Sequence, residues 1–163
     1  MSKAIFLDRD GVLNHEKHED YIRNVSELKL YDGVVDAMRI FATQFSKIII
    51  VTNQKGIVKG LMTDQDLDGI HNSLKLQIEL GGGCIDAIYY CSDMADDSPN
   101  RKPQCGMAYQ AQQKFPEIDL SVNQIGIFGK LTQLDHVMRE RDRIEIYRPL
   151  IADPKEIRRQ RAL

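Results

Sequence analysis

The sequence predicts an α/β fold, a parallel sheet with helices on both faces. Short apolar runs rich in Ile and Val alternate with helical stretches of about 10–18 residues, in the order β-α-β-α-β-α-β. Residues with chemical capacity follow those runs directly, where open parallel sheets bind their ligands. A length of 163 residues suits one domain.

The elements justify this in order. Lys3 to Leu7 is a short apolar run ending at Asp8, and it reads as a buried strand. Residues 9–31 are polar and irregular. Asp32-Gly33 then opens a helix whose apolar stripe is Val34, Val35, Met38, Ile40 and Phe41. Lys47 to Thr52 is a β-branched second strand, followed by a loop from Asn53 to Leu61. Thr63 is placed to cap a helix that runs to about Leu80, where Gly81-Gly82-Gly83 stops it. Ile85 to Cys91 reads as a third strand and residues 92–106 as a polar loop. Met107 to Phe115 makes a short helix broken at Pro116, and Ile125 to Phe128 a fourth strand of the same sheet.

Composition narrows the function classes. At 42% hydrophobic and 28% charged the chain is an ordinary globular sequence, not a fibrous or disordered one. A net charge of −2 gives no footprint for nucleic acid, and no apolar run approaches the ~20 residues that span a bilayer. No signal-peptide core precedes Asp8, and three cysteines without a C-x-x-C spacing suit a reduced, cytoplasmic protein. The average conceals a shift. Residues 136–163 hold 8 Lys+Arg against 5 Asp+Glu, a net of +3, which leaves −5 for residues 1–135. Seven of the 11 arginines lie in that last stretch.

Asp8 and Asp10 stand two apart just past a strand, with Gly11 behind them. Carboxylates held this close repel, and Mg²⁺, a hard cation, relieves the repulsion. One carboxylate can attack phosphorus while the other moves protons. An acidic turn without chemistry has the same local sequence. Thr52 and Asn53 end the second strand, where hydroxyl, amide and main-chain N–H groups can hold phosphoryl oxygens. Lys102 is a point cation suited to phosphoryl charge. Each of these is commonplace alone, and their shared placement at strand ends is what links them.

Together they resemble the haloacid dehalogenase superfamily of phosphatases, and within it the heptose-1,7-bisphosphate and histidinol-phosphate phosphatase branch. The first motif is Phe6-Leu7-Asp8-Arg9-Asp10-Gly11-Val12-Leu13-Asn14 and the second Val51-Thr52-Asn53-Gln54-Lys55-Gly56-Ile57-Val58-Lys59-Gly60. Asp32 to Met38 and Ile88 to Cys91 are similar to elements of that branch, and Arg101-Lys102-Pro103 supplies the third motif. The likeness covers about residues 3–115. It implies a single Rossmann-like domain over residues 1–163, with an atypical basic tail at 129–163 and no large cap domain. Asp8 would be the nucleophile and a Mg²⁺ ligand. Asp10 would be the general acid/base, with its main-chain carbonyl on the metal. Thr52 and Asn53 would hold the phosphoryl group and Lys102 would neutralise it. Gln54, Lys55, Arg101 and Lys130 would meet the substrate.

Two departures qualify the resemblance. The branch often carries a zinc loop before Arg-Lys-Pro, but the stretch from Cys91 to Asn100 has one cysteine and no histidine, so no zinc is expected. The fourth motif, which should present an aspartate after a fourth strand, reads Gly129-Lys130-Leu131-Thr132-Gln133-Leu134 here. A metal ligand is missing from it. Beyond this point Glu145 and Arg148 interrupt Ile144, Ile146 and Tyr147, so no continuous strand is expected there. A reading frame shifted near residues 122–130 would explain the change, as would a divergent tail folded as a charged helix.

The expected function is a Mg²⁺-dependent phosphomonoester hydrolase acting through an aspartyl-phosphate. Its substrate would be a small phosphorylated metabolite, a heptose bisphosphate first and histidinol phosphate second. The alternative of another class is an impaired protein that binds phosphate ligands or a partner. A receiver domain is disfavoured, because Cys91 or Ser92 stands where its phosphoacceptor would follow the third strand. The expected partners include no nucleic acid and no membrane, and the expected assembly is a monomer or weak homo-oligomer. His71 is expected to face solvent, and His15 and His18 to be solvated loop residues.

Overall fold

The computed structural model describes residues 4–118 and the backbones of three strands at 124–127, 130–132 and 144–147. The chain divides into two compact units, 1–118 and 119–163. The sequence predicts one domain over residues 1–163 with an atypical tail from residue 129. The division lies ten residues earlier, at Ile118/Asp119.

In the first unit, strands β1 (Ala4–Leu7), β2 (Lys47–Asn53) and β3 (Ala87–Cys91) form a parallel sheet in the order β1-β2-β3. Register runs Ile5 to Ile48 and Leu7 to Ile50 on one side, and Thr52 to Tyr90 and Asn53 to Cys91 on the other. Because all three strands run the same way, Asp8, Asn53 and Cys91 leave the sheet at one end.

Helices α1 (Val34–Gln44) and α2 (Asp64–Leu80) connect the strands. Their stripes at Val34 and Met38, and at Ile70, Leu74 and Ile78, pack with Ile48, Ile50 and Ile85 into one core. Ile5, Leu7 and Ile88 flank that core. Alternation along β2 turns Ile49 to the opposite face, where α3 (Gly106–Lys114) packs on β2 and β3 through its buried Met107 and Ala111. The predicted helices on both faces are therefore present. Helix α2 starts where Thr63 predicts, in a capping box. The Thr63 hydroxyl accepts from the Asp66 N–H at 3.1 Å, and the Asp66 carboxylate accepts from the Thr63 N–H at 2.9 Å.

The second unit corrects the expectation for the fourth strand. β4 (Gln124–Ile127) exists, but it is the centre of an antiparallel sheet ordered β5-β4-β6, with β5 at Lys130–Thr132 and β6 at Ile144–Tyr147. Ile127 pairs with Lys130, so β4 turns back into a hairpin with two residues between the paired positions. A parallel partner of β1 would instead have run on into a loop and crossover. β6 forms despite Glu145, because alternation along a strand needs only every second residue apolar. The charged helix considered for the tail falls chiefly on residues 133–143, outside the described residues.

Candidate active site at the carboxyl ends of the parallel strands

The loop after β1 is wound around one carbonyl. Arg9 O accepts from the N–H groups of Leu13 at 2.8 Å and Asn14 at 3.2 Å, and Gly11 N–H donates to Asn14 O at 2.9 Å. Gly11 sits at φ +76°, in the left-handed region that glycine enters without a Cβ penalty. This tight turn follows Asp8 and carries Asp10.

Asp8 is the more open of the two. Its carboxylate accepts the Arg9 main-chain N–H at 2.8 Å and forms an ion pair with Lys102, which reaches in from the Arg-Lys-Pro loop. The first and third motifs thus meet. The second joins them through Asn53. Its carboxamide donates to Lys102 O at 3.1 Å and accepts from Lys102 N–H at 3.0 Å. Asn53, expected on the phosphoryl group, has its side chain bonded to the backbone that carries Lys102.

Asp10 is held by a shell of buried donors. Arg9 Nε and Nη2 reach Asp10 Oδ1 at 3.1 and 3.0 Å, and Nη2 reaches Oδ2 at 2.8 Å. Asn14 Nδ2 donates to Oδ1 at 2.9 Å and Gln54 Nε2 to Oδ2 at 2.7 Å. Arg9, Asn14 and Gln54 are all fully buried. Gln54 also donates to the Thr52 hydroxyl oxygen at 2.8 Å, which leaves the Thr52 O–H as a donor. Gln54, expected against substrate, has instead been drawn inside by Asp10 and Thr52.

His71 is a second correction. It is 7% exposed rather than solvated, and its Nε2 lies 3.2 Å from Arg9 Nη1. Burial foremost, and then the charge of Arg9, lower its pKa from 6.5 to about 4. The ring is therefore neutral near pH 7 and accepts from Arg9 through Nε2. The signal was present in the sequence: Leu67, Ile70, His71, Leu74 and Ile78 share one helical face, and all are buried.

At the rim, Arg101 Nε and Lys55 Nζ share the exposed Asp96 carboxylate at 3.2 and 3.8 Å. Arg101 Nη1 is buried with no hydrogen-bond partner. Both predicted rim cations thus stand in the first unit near one weakly held counterion. Lys130 does not follow a strand of the parallel sheet; it is the first residue of β5. The three cysteines are free, with Cys91 buried as expected.

Among the described residues, no group of three His, Cys, Asp or Glu side chains could hold a metal. The half-buried Asp8 carboxylate, beside Lys102, offers oxygen atoms of the kind Mg²⁺ takes. A single carboxylate fits an ion that keeps several waters and completes its shell with phosphate oxygens.

The comparisons divide the chain much as its structure does. The polynucleotide kinase 3 phosphatase family matches residues 3–129. A probable D-glycero-D-manno-heptose-1,7-bisphosphate 7-phosphatase of Thermoplasma volcanium is 38% identical over 106 residues, 64% of this chain and 71% of that protein. The D-glycero-beta-D-manno-heptose-1,7-bisphosphate 7-phosphatase of Haemophilus influenzae is 34% identical over 68% of this chain and 63% of its own length. The crystal structure of a D,D-heptose 1,7-bisphosphate phosphatase from B. bronchiseptica, complexed with magnesium and phosphate, aligns with a TM-score of 0.66 at 29% identity, over 72% of this chain and 65% of that one.

Residues 106–161 match a different family, the RnfH family ubiquitin. Over 50 residues the chain is 66% identical to a UPF0125 protein of Vibrio cholerae, spanning half of that protein. The basic tail therefore lies almost wholly within a stretch that matches another protein family, which neither the shifted frame nor the charged helix considered for it anticipates. The phosphatase match nevertheless takes in every residue of the carboxylate–lysine cluster, and the chain belongs to the polynucleotide kinase 3 phosphatase family, within the haloacid dehalogenase phosphatases.

Proposed function

We propose that the chain hydrolyses a phosphomonoester on a small phosphorylated metabolite, through an aspartyl-phosphate on Asp8. The observation that carries this reading is the Asp8–Lys102 pair, fixed by Asn53 beside the buried Asp10 shell. An Asp8 oxygen attacks phosphorus and the bond to the leaving oxygen breaks. Asp10 enters the step as the acid, its proton on Oδ2 in place of the Gln54 contact while Arg9 stays on Oδ1; it gives that proton to the leaving oxygen, then takes one from the water that attacks the acyl-phosphate. The P–O bond to Asp8 breaks, inorganic phosphate leaves and the carboxylate is restored. Lys102 and the Thr52 hydroxyl face the charge of the transferring group. Asp8 and the Asp10 carbonyl would hold Mg²⁺, which when bound supplies positive charge to the phosphoryl oxygens.

A sugar bisphosphate is the first substrate, supported by relatives named as heptose bisphosphate phosphatases and by the Arg101–Lys55 rim, which suits a second phosphate. Histidinol phosphate is the second. No helix of the described residues is long and apolar enough to cross a membrane, and three free cysteines support a reducing, cytoplasmic setting. A second reading, phosphate binding without turnover, is favoured by one observation. The tail matches another family where the phosphatase's last acidic motif was expected.

Phosphate release from a panel of sugar bisphosphates and histidinol phosphate, with and without Mg²⁺, tests both. Turnover that Asp8→Asn reduces by about a thousandfold or more, the scale of losing a nucleophile, supports the hydrolase. Equal release by wild type and Asp8→Asn excludes it. Binding of inorganic phosphate without release would establish the second reading.

A further inference from the structure

We infer that His71 is a positioning residue for this site, acting through Arg9 on Asp10; the inference rests on the hydrolase reading above. Arg9 is a fully buried guanidinium whose only carboxylate contact among the described residues is Asp10. Three of its N–H contacts go to the two Asp10 oxygens, and Nη1 goes to His71 Nε2 at 3.2 Å. A guanidinium is a rigid planar fork, so fixing Nη1 fixes the plane in which Nε and Nη2 meet Asp10. His71 supplies that fix from α2, an element outside the strand-end loops. Its ring is itself confined, with the Tyr90 ring centroid 6.0 Å away and Leu67, Ile70 and Leu74 buried on the same helix face.

The chemistry of the contact selects a neutral acceptor. A protonated histidine or a lysine would place a second cation beside Arg9, and an aliphatic side chain would leave Nη1 without this acceptor. Neutral imidazole, with its proton on Nδ1, accepts at Nε2 and adds no charge that would compete with Asp10 for Arg9. Asp10 must turn from acid to base within one turnover. The inference assigns to His71 the task of keeping Arg9 in one orientation while it does so.

Two readouts test this on the full chain. In ¹⁵N NMR, Arg9 Nε–H should give a protected resonance, assigned by its loss in Arg9→Lys. It should persist in His71→Gln, which keeps a neutral acceptor, and be lost in His71→Phe, which keeps ring volume without one. In the release assay His71→Phe should lower kcat by roughly tenfold or more with KM little changed, the scale seen when an outer-shell partner is removed. His71→Gln should recover most of that loss. Unchanged Arg9 resonance and kcat in a folded His71→Phe overturn the inference. Loss of both readouts in a folded His71→Gln overturns it as well, and that variant decides the matter if His71→Phe does not fold. If the wild type releases no phosphate, the hydrolase reading fails on its own, and the Arg9 resonance still decides the His71 linkage.

Discussion

At the residue scale, burial decides what each polar side chain does. Arg9, Asn14 and Gln54 would be costly to bury alone, and each places donors on Asp10, with Arg9 also reaching His71, Asn14 reaching His15 O and Gln54 reaching Thr52. His71 is tolerated in its neutral form, and this has a consequence for stability. Its folded pKa of about 4 lies below the unfolded 6.5, so between these values the unfolded chain binds more protons. The contribution of His71 is fully present above pH 6.5 and is lost as pH falls through that window to about 4, where it levels off. The span corresponds to about 3 kcal/mol. Thermal unfolding followed across pH 4–7 should show this acid loss in the wild type and less of it in His71→Gln, whose side chain does not titrate. Equal pH dependence in the two proteins would refute the buried, neutral assignment.

Elements in the first unit were largely legible in the sequence, and the particular residues explain why. Thr63 and Asp66 form the capping box that starts α2, and the Ile-rich run at 48–50 could only be a buried strand. The meeting of Asp8 with Lys102 is legible because motif residues beyond parallel strand ends lie on one side of the sheet. The roles of Gln54 and Asn53 were not legible. Side-chain amides bond equally well to a ligand or to the protein, and only tertiary geometry tells these apart. The Arg-Lys-Pro loop also depends on a contact that sequence does not display. A Cβ on Gly106, at the start of α3, would lie 2.3 Å from Pro99 O and 2.4 Å from Asn100 Oδ1. Gly106→Ala must therefore displace the loop or the helix. Its expected outcome is a melting temperature lowered by several degrees, for about 1–3 kcal/mol of overpacking strain, together with weakened phosphate binding through Lys102. A variant with unchanged stability and phosphate affinity would show that the loop accommodates the methyl group freely.

For the whole molecule, the charge shift near residue 135 and the missing fourth-motif acid both fall in the stretch that matches another family. A chain that matches a phosphatase family over 3–129 matches the RnfH ubiquitin family over 106–161, and its compact units divide at 118/119. The net charge of −2 sums an acidic phosphatase body and a basic segment with different relatives. The sequence displayed the seam as a run of arginines but not its cause, because composition carries no ancestry. The local pattern around Ile125 also reads equally as a strand of either sheet; only the pairing of β4 with β5 and β6 separates them. This changes what a repair of the fourth motif should do. If the segment were a decayed phosphatase motif, an acid at Lys130 would rebuild the metal site. Lys130 is instead the first residue of β5, paired with Ile127 in an antiparallel hairpin. We therefore expect Lys130→Asp to leave Mg²⁺ affinity, measured by calorimetry with inorganic phosphate present, within about twofold of wild type. Restoring a carboxylate to a true metal position should tighten binding by roughly tenfold or more, the lower end of what one partner in a metal site contributes. A gain of that size in Lys130→Asp would mean that the hairpin yields to the phosphatase site, and that the seam lies further along the chain than the pairing of Ile127 with Lys130 places it.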